Sequence, residues 1–365
     1  MSETATPQGF AADTWGPPAP RSALTGYRAR SLKRTLVMAV LLVLTAFALL
    51  IDVSIGPGNL SLATIASTIM DAGAAEPRYA VIVWDIRLPV AVMAVVIGAM
   101  LGIAGAQMQT ILANPLADPF TLGISSAASV GASIAIVYGF SLIPFAGPIM
   151  VTANAFVFAL GAAFVVFSLT RMRGVTPETM ILFGIALMFT FNAVLGLMQY
   201  RASETQLAQI IFWMMGSLGR SSWEKIAVAL AICAVVLPLM WRRRWALTAM
   251  RTGDERAASL GIDVNRLRLE ILVYVSIMSA TAVSFIGVVG FVGLVGPHIA
   301  RMLVGEDQRW FLPVSALAGA LILSVTSTVA KSIVPGVIYP IGIITALIGV
   351  PFFLSLILSR RSVAS

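Results

Sequence analysis

The feature that most constrains this chain is a succession of apolar runs, each about as long as a lipid hydrocarbon core is thick, recurring from Thr35 to Leu358. A helix needs about 20 residues to cross a core of roughly 30 Å, and every backbone N–H and C=O inside it must find a partner within the protein. The runs do not alternate apolar and polar residues, as strands of a lipid-embedded barrel do. The fold class is therefore all-α, a polytopic membrane protein of about ten transmembrane helices. Composition agrees. Hydrophobic residues make up 59% of the 365 and charged residues 11%, against about 45–50% and 25% in soluble chains.

Spans fall at roughly 35–53, 89–110, 120–138, 149–169, 178–199, 224–241, 268–284, 287–305, 312–332 and 340–358, each expected to cross in full. The boundary between the seventh and eighth is the least marked, because Phe285 to Val295 is apolar and glycine-rich with no polar break. Residues 1–34 differ: Pro, Ser, Thr, Ala and Gly dominate, and Arg28, Arg30, Lys33 and Arg34 close the segment. They read as a disordered cytoplasmic basic tail ahead of a membrane domain at 35–360.

The net charge of +8 sits in short clusters beside apolar runs. That pattern sets topology and is not the footprint of a nucleic-acid binder. With the N-terminus inside, 18 Lys and Arg fall on inner segments and six on outer ones, so both termini are expected in the cytoplasm. Trp84, Trp213, Trp223, Trp241, Trp245 and Trp310 fall near span ends, as an aromatic belt requires. The segment Arg201 to Arg220 is too polar to span and reads as a short amphipathic helix on the outer face, either part of a docking surface or a lid. Cys233, the single cysteine, excludes an internal disulfide, and the single histidine, His298, excludes a multi-histidine metal site.

Arg87-Leu88 opens an apolar run ending at Asn114-Pro115, and Arg268-Leu269 opens a comparable one ending at Gly296-Pro297. By the topology above the two cross in opposite directions. This is either an inverted repeat of the kind transporters use or chance.

The most specific stretch is RLPVAVMAVVIGAMLGIAGAQMQTILANPLADPFTLGISSAASVGA, Arg87 to Ala132. Gly98, Gly102 and Gly105 recur at three or four residues, a spacing that lets helix backbones approach closely in lipid. Gln107 and Gln109 follow near the inner end, and Asn114-Pro115 and Asp118-Pro119 force a non-helical turn. This string, with FIGVVGFVGLVGPHIAR at Phe285–Arg301 and PIGIITALIGVPFF at Pro340–Phe353, resembles the FecCD-type permease family of ABC importers for iron-siderophores, haem and cobalamin. The resemblance covers about 35–360. It departs at Val90, where a second arginine is usual, and at Lys331, which replaces an arginine.

The resemblance implies ten helices per subunit, a second permease subunit (identical or homologous), two cytoplasmic ATPase subunits and a substrate-binding protein on the outer face. ATP and Mg²⁺ would be held by the ATPase, and this chain would bind no cofactor or metal. None of its three lysines follows a glycine, so it has no phosphate-binding Gly-Lys-Ser/Thr of its own. The segment Thr252 to Asp263 matches the family's coupling-helix position. There Asp254 and Glu255 suit the positive end of a short helix. Arg256, Ala257, Ala258 and Leu260 would meet the ATPase, with Gly261 as terminator. Arg87 and Lys331 match cations that pair with acidic lobes of the binding protein, with Arg78, Arg201 or Arg220 as substitutes. Pro297, His298 and Arg301 match a family-wide motif, and a structural, hydrogen-bonding histidine is expected rather than a haem ligand. Met100 and Met108 read as flexible core filler or as path lining.

The function expected is that of an importer permease of the bacterial cytoplasmic membrane, its cargo a ferric siderophore, with haem or cobalamin next. A secondary transporter would hold ionisable groups mid-membrane, and an intramembrane enzyme would need a buried catalytic set. The middles of these spans are almost free of charge, and no such set is visible.

Overall fold

The computed structural model describes residues 20–361 except 57, 59, 72–74, 145–146, 174–175 and 335. α1 (Pro20–Ser54) is followed by two short helices, α2 (Leu62–Met70) and α3 (Pro77–Ala80). A π-helical turn, Val81–Arg87, then leads without a break into α4 (Leu88–Ile111). After it come α5 (Ile124–Tyr138), α6 (Met150–Arg173), α7 (Pro177–Arg201) and the short α8 (Glu204–Met214). The remainder is α9 (Trp223–Arg242), α10 (Arg244–Met250), α11 (Asp254–Ser259), α12 (Val264–Ile286), α13 (Val292–Val304), α14 (Gln308–Ser332) and α15 (Ile341–Arg361). Among the described residues there is no strand, only a bridge between Val334 and Val337.

Each of the ten expected spans coincides with a helix. Seven are long and apolar enough to cross a membrane, and Ile124–Tyr138, Val292–Val304 and Ile341–Phe352 are shorter apolar helices. Two expectations need correction. α5 and α13 have 15 and 13 residues, so α13 rises only about 20 Å and neither crosses in full. Positive-φ residues cut them short: Gly123 at +77° before α5, and Gly287 at +83° and Phe291 at +69° before α13. The tail expected to be disordered through residue 34 is helical from Pro20. Pro20 occupies the first helical position, where its missing N–H costs nothing, and the Ala and Arg residues that follow are good helix formers. Residues 1–19 lie outside those described.

α4 is the central helix, packed by α14, α12, α13, α9 and α1, while α5 packs against α6, α7 and α8. Two sets of ties define its ends. At the basic end Arg34 of α1 reaches Asp307 before α14 (3.4 Å), and Gln107 donates to Gln308 (2.9 Å), which donates to Thr110 (3.0 Å). At the opposite end Lys331 of α14 reaches Asp52 of α1.

The glycines of α4 face three carbonyl groups. A Cβ on Gly98 would stand 2.5 Å from the Gly319 oxygen; on Gly102 it would overlap the Ser315 oxygen, and on Gly105 the Gly293 oxygen. In lipid there is no hydrophobic drive between helices, so such close packing and buried hydrogen bonds carry association. Gly105→Ala is expected to lower the stability of the detergent-solubilised chain, read from thermal unfolding, by about 1–3 kcal/mol for overpacking. Gly161→Ala and Gly196→Ala, where a Cβ meets nothing within 4 Å, are expected to leave it unchanged or raise it by up to about 1 kcal/mol.

Candidate functional site

At the basic end the chain makes one sharp excursion, α10–α11, between α9 and α12. α11 is bracketed by Gly253 (φ +105°) and Gly261 (φ +81°), conformations that only glycine adopts without strain. No side chain caps its first turn, and Asp254 and Glu255 lie at its positive end. Asp254 accepts two bonds from Arg268 Nη2 (3.1 and 2.9 Å), and the Nε of the same arginine donates to the Ile111 carbonyl at the end of α4 (2.7 Å). Arg268 is 1% exposed, so it joins α11 to the buried end of the central helix. Arg256, Ala258 and Leu260 face outward, Leu260 with 71% of its surface open. Ala257, expected on the partner-facing side, is instead fully buried. The turn rotates it inward as the residue that seats α11 on its own chain.

A second chain of contacts runs from the same loop. Arg251 and Arg301 both grip Glu306, the latter at 2.7 Å. Arg301 Nη2 also donates to Gln109 Oε1 (2.8 Å), whose Nε2 donates to the Leu294 carbonyl (3.4 Å). Three motif positions, Gln109, Arg301 and the α13 backbone, thus meet in one network, while Pro297 is buried and His298 half-buried beside it. Asn114 closes the turn after α4 by accepting from Leu116 N (2.9 Å), with Pro115 exposed; Asp118 accepts from Phe120 N (2.9 Å). Burial pushes the Asp118 carboxyl up to about 6.

Near the opposite end three non-helical segments cross. Ser217 N donates to the Ile286 carbonyl (2.6 Å), Ile341 N to Gly216 (3.1 Å) and Gly342 N to Met215 (3.0 Å). Irregular backbone at membrane depth survives only when buried in protein or lining a cavity. A cavity of about 630 Å³ opens here, with Met214, Met215, Val288, Phe291 and Ile343 in its walls. Met100 and Met108 are fully buried in the helix core instead, which assigns them to packing. Arg220 donates to the Trp213 and Ile286 carbonyls (3.3 and 3.0 Å), and burial draws its pKa down to about 10. The amphipathic segment forms α8, its start closed by a Ser203–Gln206 capping box and its Ile210 and Trp213 turned inward.

The docking cations are corrected by the structure. Arg87 is 3% exposed and donates to the carbonyls of Val53 (3.2 Å), Ser54 (2.9 Å) and Gly56 (2.9 Å) at the end of α1. Lys331 is 8% exposed; it pairs with Asp52 Oδ1 (2.6 Å) and donates to the Asp52 carbonyl (2.7 Å), and Ser327 and Thr328 complete the carboxylate. Both cations are spent on α1, whose last carbonyls have no helical partner. Arg78 and Arg201 remain exposed at this end. Asp52 escaped attention in the sequence, although a lone acid inside an apolar run signals a buried partner. Glu306 carried no local signal beyond its charge, and Arg268 was marked only by the Arg-Leu pair that matches Arg87-Leu88.

The profile of the FecCD transport family matches residues 42–359. This chain belongs to the FecCD transport family. It is 39% identical to the hemin transport system permease of Yersinia pestis, over 76% of this chain and 84% of that protein. It is 40% identical to the cobalamin import system permease of Halobacterium salinarum, over 77% and 74%. Among solved structures it superposes, with a TM-score of 0.78 and 29% identity over 89% of this chain and 99% of the other, on a chain described as a metal-chelate type ABC transporter in an inward-facing conformation.

Removing either Asp52 or Lys331 leaves a buried charge alone, so Asp52→Asn and Lys331→Met are each expected to cost about 3–5 kcal/mol, with the double variant recovering most of the loss. A denaturation cycle in detergent checks this. Burial tends to raise the Glu306 carboxyl, but the hydrogen bond and charge of Arg251, with Arg301, outweigh it and hold it below its ordinary 4.5. A carboxylate lowered in the folded state stabilises fully above its ordinary value and loses that contribution as pH falls through the lower folded one. Melting curves between about pH 6 and pH 3 are expected to fall more steeply for the parent than for Glu306→Gln.

Proposed function

We propose that this chain is the permease subunit of an ATP-binding-cassette importer that moves a ferric siderophore or similar metal chelate across the bacterial cytoplasmic membrane by alternating access. Haem or cobalamin is the next reading of the cargo. Both termini face the cytoplasm, the basic end is the inner one, and two such subunits (identical or homologous) flank the path. Two ATPase subunits, which hold the ATP and Mg²⁺, engage the basic end, and a substrate-binding protein delivers cargo to the other. Membership of the FecCD family and the hemin and cobalamin permeases among the relatives support the cargo class.

The observation that carries the reading is α11. It stands at the end with the most cations, presents Leu260, Ala258 and Arg256 to an absent partner, and is bolted through Asp254 and Arg268 to α4. Force on α11 therefore has a rigid route into the core. The cavity wall of Met214, Met215 and Phe291 suits a large cargo recognised by shape and apolar contact, because methionine adapts to irregular surfaces. With Arg87 and Lys331 engaged internally, Arg78 and Arg201 are the cations offered to acidic lobes of the binding protein. An ion-gradient carrier would place its ionisable pair mid-membrane. The Asp52–Lys331 pair instead lies at the last turns of α1 and α14.

The test is ATP hydrolysis in nanodiscs by this chain co-purified with its ATPase, with and without cargo-loaded binding protein. Leu260→Asp is expected to leave the fold within about 0.5 kcal/mol, because the side chain is exposed. It should weaken ATPase recruitment at least tenfold, as loss of an interface anchor does. A chain that never recruits an ATPase, yet moves cargo on an ion gradient, would overturn the proposal.

A further inference from the structure

α1, α4, α9 and α14 leave a groove of about 790 Å³ between them at the basic end. Its walls are almost wholly apolar, with Met38 and Leu42 on one side, Leu317 on another, and Pro238 and Pro313 facing in from the interiors of α9 and α14. Thr35 to Leu42 alone spans about 10 Å of helix, so the groove runs along the bundle and not into it. Helices that merely touched lipid would present side chains rather than a slot.

The mouth is what singles out an occupant. Trp241 lines the groove and is 41% exposed; Trp245, one turn on, is 58% exposed. Arg244 lies over both rings, 4.9 Å from Trp241 and 5.9 Å from Trp245, and Arg309 lies over Trp245 at 4.9 Å. The neighbouring cations are neutralised by acids: Arg243 by Glu270, Arg251 by Glu306, and Arg34 and Arg309 by Asp307. Among the described residues, Arg242 and Arg244 have no such carboxylate. Arg244 spends one Nη on the Trp241 carbonyl (3.1 Å), and its buried Nε has no hydrogen-bond partner. An apolar slot thus ends at two tryptophans with the Arg244 guanidinium over both rings, and Arg242 follows Trp241 directly in α9.

We propose that this groove is a binding site for an anionic phospholipid, one acyl chain lying between α1, α9 and α14 and the phosphate meeting Arg244 over the tryptophans, with Arg242 adding its charge from the position after Trp241. The order of features is that of a lipid from tail to headgroup. Tryptophan prefers the depth at which the two meet, and uncompensated arginines favour a phosphate with open donor positions. A zwitterionic lipid would fill the slot, but its own ammonium offsets its phosphate and leaves less net charge to hold the arginines.

Native mass spectrometry of the full chain in detergent, titrated with phosphatidylglycerol or phosphatidylcholine, tests the assignment. The parent should retain one phosphatidylglycerol under activation that strips phosphatidylcholine. The double variant Arg242→Gln/Arg244→Gln should hold phosphatidylglycerol about thirtyfold more weakly, from ~1 kcal/mol per basic residue at 1.4 kcal/mol per tenfold, with phosphatidylcholine unaffected. Ala316→Phe, which fills the slot, should weaken both lipids. If that variant does not fold, Arg242→Gln alone, at an exposed position, should still lower phosphatidylglycerol retention several-fold. Equal retention of the two lipids by the parent, undiminished phosphatidylglycerol in the arginine variants, or a second copy of the chain covering the groove in place of lipid would each overturn the proposal.

Discussion

Two buried arginines close the ends of α1 and α4, and much of the architecture depends on them. The last carbonyls of a helix have no partner within it, and away from water each such group is costly. Arg87 serves Val53, Ser54 and Gly56 at the end of α1, and Arg268 serves Ile111 at the end of α4. The negative pole of the helix dipole favours a cation there as well. These are the two arginines that open the matching Arg-Leu runs of the sequence.

Both arginines also link that local task to something larger. Arg268 carries the Asp254 carboxylate of α11, so the helix read as the coupling element is tied to α4 by a side chain that is itself buried. Arg87 lies beside the Asp52–Lys331 pair, and together these three hold α1 against α14 and the start of α4. Between the ends, α4 has little freedom, because its glycines let backbone oxygens of α14 and α13 approach where any Cβ would collide. Movement of the basic end is thus expected to carry α4, α13 and α14 together. The irregular backbone around Met215, Val288 and Phe291 is packed as closely, with Gly216, Gly287 and Gly342 each set against a neighbouring carbonyl.

Much of this was legible in the chain itself. Ten apolar runs became ten apolar helices, the Gly98, Gly102 and Gly105 spacing became a close-packed seam, and Gly253 and Gly261 bracket a short helix where one was expected. Periodicity, length and glycine placement are local properties, and lipid permits few alternatives to helix. What was misread was direction. Ala257 turns inward, and Arg87 and Lys331 look like free cations until Asp52 and the α1 carbonyls are seen beside them.

The sequence by itself determined a membrane-embedded helical bundle, its breaks and its family, because hydrophobic length and a specific motif string are written along the chain. Tertiary structure alone decided which charges are spent inside and which face outward. It brought Arg251, Arg301 and Glu306 to one point, met Arg268 with α4, and left Arg244 without an acid over the Trp241 ring of an apolar groove. The physical reason is that a buried charge is stable only with its partner, and the partner here is often some 50 to 280 residues away along the chain.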